Sequence, residues 1–158
     1  MTLQIGDKAP NFTLSSGENQ SISLTHFRGK KVVLYFYPKD DTPGCTQEAC
    51  DFRDQVNQFE ASNTVILGIS KDSPSKHQKF KEKYQLPFTL LADENSEVCQ
   101  AYGVIGKKIM FGKISFGIQR ATFLIDEKGI IRAIWRKVKV TDHIDQVLLE
   151  LNGAQQNS

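Results

Sequence analysis

The sequence predicts an α/β fold: a mixed central β-sheet flanked by helices and preceded by an N-terminal β-hairpin. Three observations carry this. The runs "KVVLYFY" and "TVILGIS" have the β-branched and aromatic continuity of strands buried on both faces. Between them the period changes, and Cys45, Ala49, Phe52, Val56 and Phe59 form one apolar stripe at helical spacing. Strands joined by helices imply parallel neighbours, whereas "RATFLID" and "IIRAIWR", joined through Asp126-Glu127-Lys128-Gly129, read as a late antiparallel hairpin.

The other elements follow in order. "NFTL" and "QSISL" alternate like two short strands around the turn Ser16-Gly17-Glu18-Asn19. "DSPSKHQKFKEKYQL" opens on an N-cap at Asp72 or Ser73 and reads as a helix ending before Pro87. "FTLLAD" is a third short strand, and "NSEVCQAYGV" is a short helix stopped by Gly103. "IGKKIMFGKISFG", with glycines at 106, 112 and 117, reads as a loop or irregular hairpin. Thr141 or Asp142 caps a last helix to about Leu151, leaving 152–158 as an expected flexible tail. The order β-β-β-α-β-α-β-α-β-β-α fits a thioredoxin-like fold. With no linker or repeat, residues 1–158 are expected to form a single domain with its core at about 4–151.

The totals exclude several classes of function. Net charge is only +2 and the basic residues are dispersed, so nucleic-acid binding is not indicated. The densest basic run, Lys76 to Lys83, reads as the solvated face of a helix. No stretch approaches the roughly 18 apolar residues of a membrane span, so no membrane partner is expected. The start "MTLQIGDKAPNF" lacks the basic and apolar blocks of a signal peptide. Three cysteines make a poor disulfide framework. The expectation is a cytoplasmic protein whose cysteines are either buried and inert or reactive.

"PKDDTPGCTQEAC" places Cys45 in the first turn of a helix that begins where a central strand ends. Open α/β sheets put their ligands at such strand ends. First-turn amides lack partners and the helix dipole is positive there, so both favour a thiolate, which is the nucleophilic form of cysteine. Pro43 suits a helix start, Gly44 lets a small ligand approach the backbone, and Thr42 offers a hydroxyl near the sulfur.

Pro38-x-x-x-Thr42-x-x-Cys45 resembles the active-site motif of the peroxiredoxins. "YFYPKDDTPGCTQEACDFRD", "GISKDSPSKHQKF", "GKISFGIQRATFLID" and "KVKVTDHIDQVL" are similar to the bacterioferritin-comigratory-protein, or peroxiredoxin Q, branch, from about Gly6 to Leu151. The resemblance implies a thioredoxin fold that reduces hydrogen peroxide and organic hydroperoxides without metal, haem or other cofactor. It implies Cys45 as the peroxidatic cysteine, Thr42 as a hydroxyl contacting sulfur and peroxide, and Pro38 as a shield against water. It further implies Arg120 as the arginine that steadies thiolate and peroxide, Glu48 as the glutamate holding that arginine, and the Gly44 and Cys45 amides as donors to the peroxide. Cys50 matches the resolving cysteine, which would pair with Cys45 in an intramolecular disulfide. The expected reductant is thioredoxin, with glutaredoxin as the alternative. In one helix, residues five apart lie about 140° around the axis with Cα atoms roughly 8–9 Å apart. A disulfide usually needs less than about 7 Å, so this pairing requires the helix to open.

Two features depart from the family pattern. Many relatives carry Trp-Gly-Glu-Lys where this chain has Ile105-Gly106-Lys107-Lys108. The C-terminal extension of the dimeric peroxiredoxins is absent, and a monomer is expected. Cys99 reads as a buried, inert cysteine. Two rivals compete with this reading. A disulfide oxidoreductase acting on proteins normally uses C-x-x-C rather than the C-x4-C found here. A metal module built on Cys45, Cys50, Cys99 and a histidine matches no common zinc spacing. His26, His77 and His143 read as surface residues in three separate segments.

Overall fold

The carboxyl end of one buried strand organises the molecule. The structure is a computed structural model and describes residues 2–17 and 20–156. Its strands are β1 (Thr13–Gly17), β2 (Gln20–Ser23), β3 (Lys31–Phe36), β4 (Thr64–Ser70), β5 (Thr89–Ala92), β6 (Ile105–Met110), β7 (Lys113–Ile118), β8 (Ala121–Ile125) and β9 (Ile131–Arg136). Its helices are α1 (Pro43–Asp54), α2 (Val56–Ala61), α3 (Pro74–Tyr84), α4 (Glu97–Ala101) and α5 (His143–Gln156). Seven strands form one sheet in the order β2-β1-β5-β4-β3-β8-β9, with β3 parallel to β4 and antiparallel to β8. This is the mixed sheet that the helix-joined strands and the late hairpin predict.

β3 is buried on both faces because its alternate side chains enter two apolar layers. Val32, Leu34 and Phe36 join Tyr102, Val104 and Phe123 on one side. Val33, Tyr35 and Tyr37 join Cys45, Phe52, Phe59 and Phe88 on the other. Tyr35 stacks on Phe52 with ring centroids 4.7 Å apart, which seats α1 against the strand. In the parallel register Tyr35 faces Gly68 of β4. A Cβ at Gly68 would lie 2.9 Å from both Tyr35 Cζ and Leu90 Cδ2. Gly68→Ala therefore overpacks this layer, and a loss of about 1–3 kcal/mol is expected in urea denaturation. An unchanged denaturation midpoint would contradict that packing.

Several expectations change in detail. β1 continues through Gly17, so Ser16 and Gly17, expected in the first turn, are strand residues; Glu18 and Asn19 are outside the described residues. The stripe from Cys45 to Phe59 is two helices, not one. At Gln55 the amide turns to Phe52 O, and the chain restarts as α2 with Phe59 packed near Phe52. The segment expected as a loop or irregular hairpin is a regular antiparallel hairpin, with Ile105 opposite Ile118 and Met110 opposite Lys113. Its glycines suggested irregularity, yet Gly106 and Gly117 face each other across the ribbon, and the Gln119 side chain fills the space over Gly106. α5 continues past Leu151 to Gln156, because a single Gly153 is a weak break. Of the expected tail, residues 157–158 lie outside the described residues.

His77 and His143 are buried rather than on the surface, while His26 is exposed. His77 lies one turn before Phe80 on the inward face of α3, and both its ring nitrogens have partners. His143 Nε2 lies 2.8 Å from Thr122 Oγ1, and its ring meets Trp135 edge-on. Burial pushes His143 down to about 4. The folded state thus favours the neutral ring: its contribution is fully present above the ordinary value of about 6.5 and is lost as pH falls toward 4. We expect His143→Gln to remove about 2 kcal/mol of the stability difference between pH 7 and pH 4.5, read from urea midpoints of the two proteins. Parallel pH profiles would contradict a neutral buried ring.

Candidate active site

Thr42 is the N-cap of α1 and Pro43 its first residue. An N-cap threonine ordinarily accepts a first-turn amide. Here the hydroxyl donates instead to Lys39 O at 2.8 Å and caps nothing. The first-turn amides of Gly44 and Cys45 are thereby left without a side-chain acceptor, at the positive end of a three-turn helix. Thr46 N bonds back to Thr42 O and closes the first turn.

Cys45 is buried, with its sulfur on the helix face that meets β3. Arg120 Nη2 donates to Cys45 Sγ at 3.3 Å, and Nη1 donates to Glu48 Oε1 at 2.6 Å. Sheet register brings these distant residues together. β8 runs antiparallel to β3 with Ala121 opposite Phe36, so Arg120 lies beside the end of β3 from which the chain leads into α1. Glu48 lies three residues after Cys45 and so shares its helix face. The guanidinium also lies close over the backbone of Gly44, where an added Cβ would be 3.2 Å from Nη2.

One cation thus serves two acidic groups. Burial raises Glu48 to about 7 despite the opposing pull of Arg120. Burial would lower Arg120, but Glu48 and Cys45 outweigh it and raise the guanidinium. Glu48 Oε2 and the hydroxyl of Tyr35 are both buried with no hydrogen-bond partner among the described residues. Burial and then the Glu48 charge hold the Tyr35 hydroxyl well above the usual phenol range.

The expected residues fall into two groups. Cys45, Glu48, Arg120 and the Gly44 backbone form one constellation. Thr42 sits at its edge, half-buried, and Pro38 is exposed in the loop before it. Cys50 is half-buried in the same helix, beside a surface depression it shares with Asp41, Pro43, Thr46, Gln47 and Tyr84. Its thiol is raised by burial. Cys99 is fully buried, and burial, together with the Asp93 carboxylate that caps α4, pushes its thiol far up. All three cysteines are unpaired thiols. Reading the sequence missed Asp40, His77 and Tyr35 around the site. Only their neighbourhood to the motif in the fold, not their spacing, brings them in.

A cysteine at a helix start, faced by a guanidinium and by amides without a side-chain acceptor, is an arrangement that could stabilise an anion released by cleavage of a neutral bond. The chain matches the AhpC/TSA family over residues 5–134. It belongs to that family of peroxiredoxins. Peroxiredoxin Bcp of Bacillus subtilis (strain 168) is 50% identical over 151 residues, covering 96% of each chain. Peroxiredoxin Bcp of Escherichia coli (strain K12) is 44% identical over 146 residues, covering 92% of this chain and 94% of that one. Among solved structures, a cysteine-to-serine mutant of Xylella fastidiosa PrxQ has a TM-score of 0.92 at 36% identity, covering 98% of this chain and 99% of that one. Xanthomonas campestris bacterioferritin comigratory protein, described for its alkyl peroxide reduction activity, has a TM-score of 0.87 at 40% identity, covering 90% and 91%. The fold is therefore the thioredoxin-like fold of peroxiredoxins, and the protein is a peroxidase of the oxidoreductase class.

Proposed function

We propose that this peroxiredoxin reduces hydrogen peroxide and organic hydroperoxides through Cys45 as the peroxidatic cysteine. The 3.3 Å contact between Arg120 Nη2 and Cys45 Sγ, at a helix start whose amides have no side-chain cap, carries this reading. The Cys45 thiolate attacks the terminal oxygen of the hydroperoxide. An S–O bond forms, the O–O bond breaks, and the departing oxygen leaves as water or alcohol after taking a proton. Arg120 and the Gly44 and Cys45 amides stabilise the charge on that oxygen, and Glu48 holds Arg120 in place. Thr42 orients the peroxide with its hydroxyl oxygen. Pro38 covers one side of the entrance.

The resulting sulfenic acid condenses with the Cys50 thiol, releasing water and leaving a Cys45–Cys50 disulfide. Both cysteines lie within α1, so the helix opens between about Pro43 and Phe52 before the sulfurs meet. A dithiol protein, thioredoxin or alternatively glutaredoxin, then reduces the disulfide. The enzyme works as a monomer in the cytoplasm. The depression beside Cys50 and the burial of Cys99 support Cys50 as the resolving partner.

One equivalent of hydrogen peroxide added to Cys50→Ser is expected to leave a dimedone-reactive sulfenic acid on Cys45. The unsubstituted protein is expected to give a Cys45–Cys50 peptide in a disulfide map. A Cys45–Cys99 peptide, or a cross-link between chains, would overturn the assignment of Cys50.

A further inference from the structure

α1 hangs between two points that are both tied to α3. Downstream, Arg53 Nη1 donates to Tyr84 O at 2.8 Å. Upstream, Asp40 is gripped on every side. Its Oδ1 accepts from Tyr37 Oη at 2.6 Å, its Oδ2 lies 2.6 Å from His77 Nδ1, and its amide donates to Asp72 Oδ2 at 2.8 Å. The far nitrogen of the His77 ring, Nε2, donates to Leu91 O at 3.0 Å, so the ring bridges the loop to β5. Ser70 Oγ completes the network by donating to Asp72 Oδ2 at 2.7 Å. The His77 and Asp40 side chains are 3% and 6% exposed, so water competes little for these contacts. The reactive atoms of Asp40, Asp72 and His77 lie within 4.8 Å of one another, as metal ligands would. Those that face one another are already engaged by amides, hydroxyls and a carbonyl, and the cluster is a fastening.

The short link from the upstream fastening to α1 is loosely held. Asp41, the residue between Asp40 and the N-cap of α1, is exposed and has a left-handed backbone with φ 59°. Its bonds to Lys83 and Tyr84 are on the surface, where such pairs hold little. We propose that α3 is the fixed jaw of the catalytic cycle and that His77 is a positioning residue. Through Asp40, His77 sets the entry of α1 so that Cys45 meets Arg120. The same fastening stops the opening of α1 from spreading upstream of about Asp41. This rests on the proposed chemistry of Cys45 and Cys50, and its test separates the two.

Single-turnover oxidation by hydrogen peroxide in the Cys50→Ser background, quenched with dimedone and read by mass spectrometry, measures the first step alone. His77→Leu is expected to slow adduct formation on Cys45 about 100-fold, because a misplacement near 1 Å costs that much. His77→Asn keeps a donor toward Asp40 and is expected to recover to within about tenfold of the parent. A folded His77→Leu protein with an unchanged rate overturns the positioning role. Hydrogen exchange on the otherwise unsubstituted protein, reduced and peroxide-treated, gives a test that needs no His77 variant. Oxidation is expected to expose amides 46–52 while the Asp40 amide stays protected. Loss of Asp40 protection together with 46–52 overturns the jaw, even if His77→Leu does not fold. No dimedone adduct on Cys45 in the parent would instead sink the chemistry on which the inference rests.

Discussion

Cys45→Ser is expected to abolish peroxide consumption and leave the fold unchanged. Serine matches cysteine in shape, and its oxygen still accepts from Arg120, so a stability change within about 1 kcal/mol is expected. A neutral hydroxyl is a poor nucleophile toward an O–O bond, so the first step has no substitute at this position. The other two thiols are badly placed to replace it. Cys50 has its thiol raised by burial, against the pull of the nearby Arg53 charge, and it lies outside the contact that Arg120 makes to Cys45. Cys99 is fully buried beside the Asp93 carboxylate, which opposes its ionisation. Stopped-flow measurement of peroxide loss checks this. Turnover above a few per cent of the parent rate, in a protein with unchanged circular dichroism, would sink the mechanism.

Arg120→Met is expected to slow oxidation of Cys45 by at least about 100-fold, the usual cost of losing one fixed donor to a developing anion. It also strands Glu48, which is fully buried and takes its one strong bond from Arg120. Removing one partner of a buried ion pair typically costs about 3–5 kcal/mol. Glu48 is already raised by burial, and losing the guanidinium removes the pull that opposes that rise. A carboxyl whose folded value lies above its unfolded one favours folding below about pH 4.5, and that contribution is lost as pH rises. The defect of Arg120→Met should therefore be small near pH 4.5 and large above pH 7 in urea denaturation. Adding Glu48→Gln should restore most of the stability at pH 7 but none of the oxidation rate. Recovery of both would mean that Arg120 acts only by holding the helix. Recovery of neither would mean that Glu48 is not what the arginine stabilises.

Which parts of this molecule a linear reading reaches depends on the range of the forces involved. The strand β3, the start of α1 and the position of Cys45 in its first turn follow from local pattern: a buried apolar run, then Thr-Pro-Gly, then a helical stripe. The β8–β9 turn is local too. Asp126 Oδ1 accepts from Lys128 N and Ile130 N at 2.9 Å, and Gly129 takes the positive φ that the turn requires. The constellation's members, Arg120 and Glu48, were reached through resemblance to a family rather than through any spacing, since 72 positions separate them.

What tertiary structure alone decided is where polar groups found partners. Nothing in "KFKEKY" or "DSPSKHQ" tells that His77 is buried; the Asp40 carboxylate and the Leu91 carbonyl, supplied by two other segments, make burial tolerable. His143 is buried for the same reason, beside Thr122 of β8. No periodicity tells that Glu48 is buried; Arg120, delivered by the antiparallel register of β8 against β3, makes its burial tolerable. The glycine-bearing ribbon β6–β7 likewise owes its regularity to cross-strand pairing, which period along one strand does not reveal. The sequence by itself determined the main strands, the start of α1 and the place of Cys45 in its first turn, because these rest on local periodicity and helix-start residues. The partners of His77, His143 and Glu48 were decided by the fold, because a desolvated group is satisfied only by whatever the rest of the chain brings within about 3 Å.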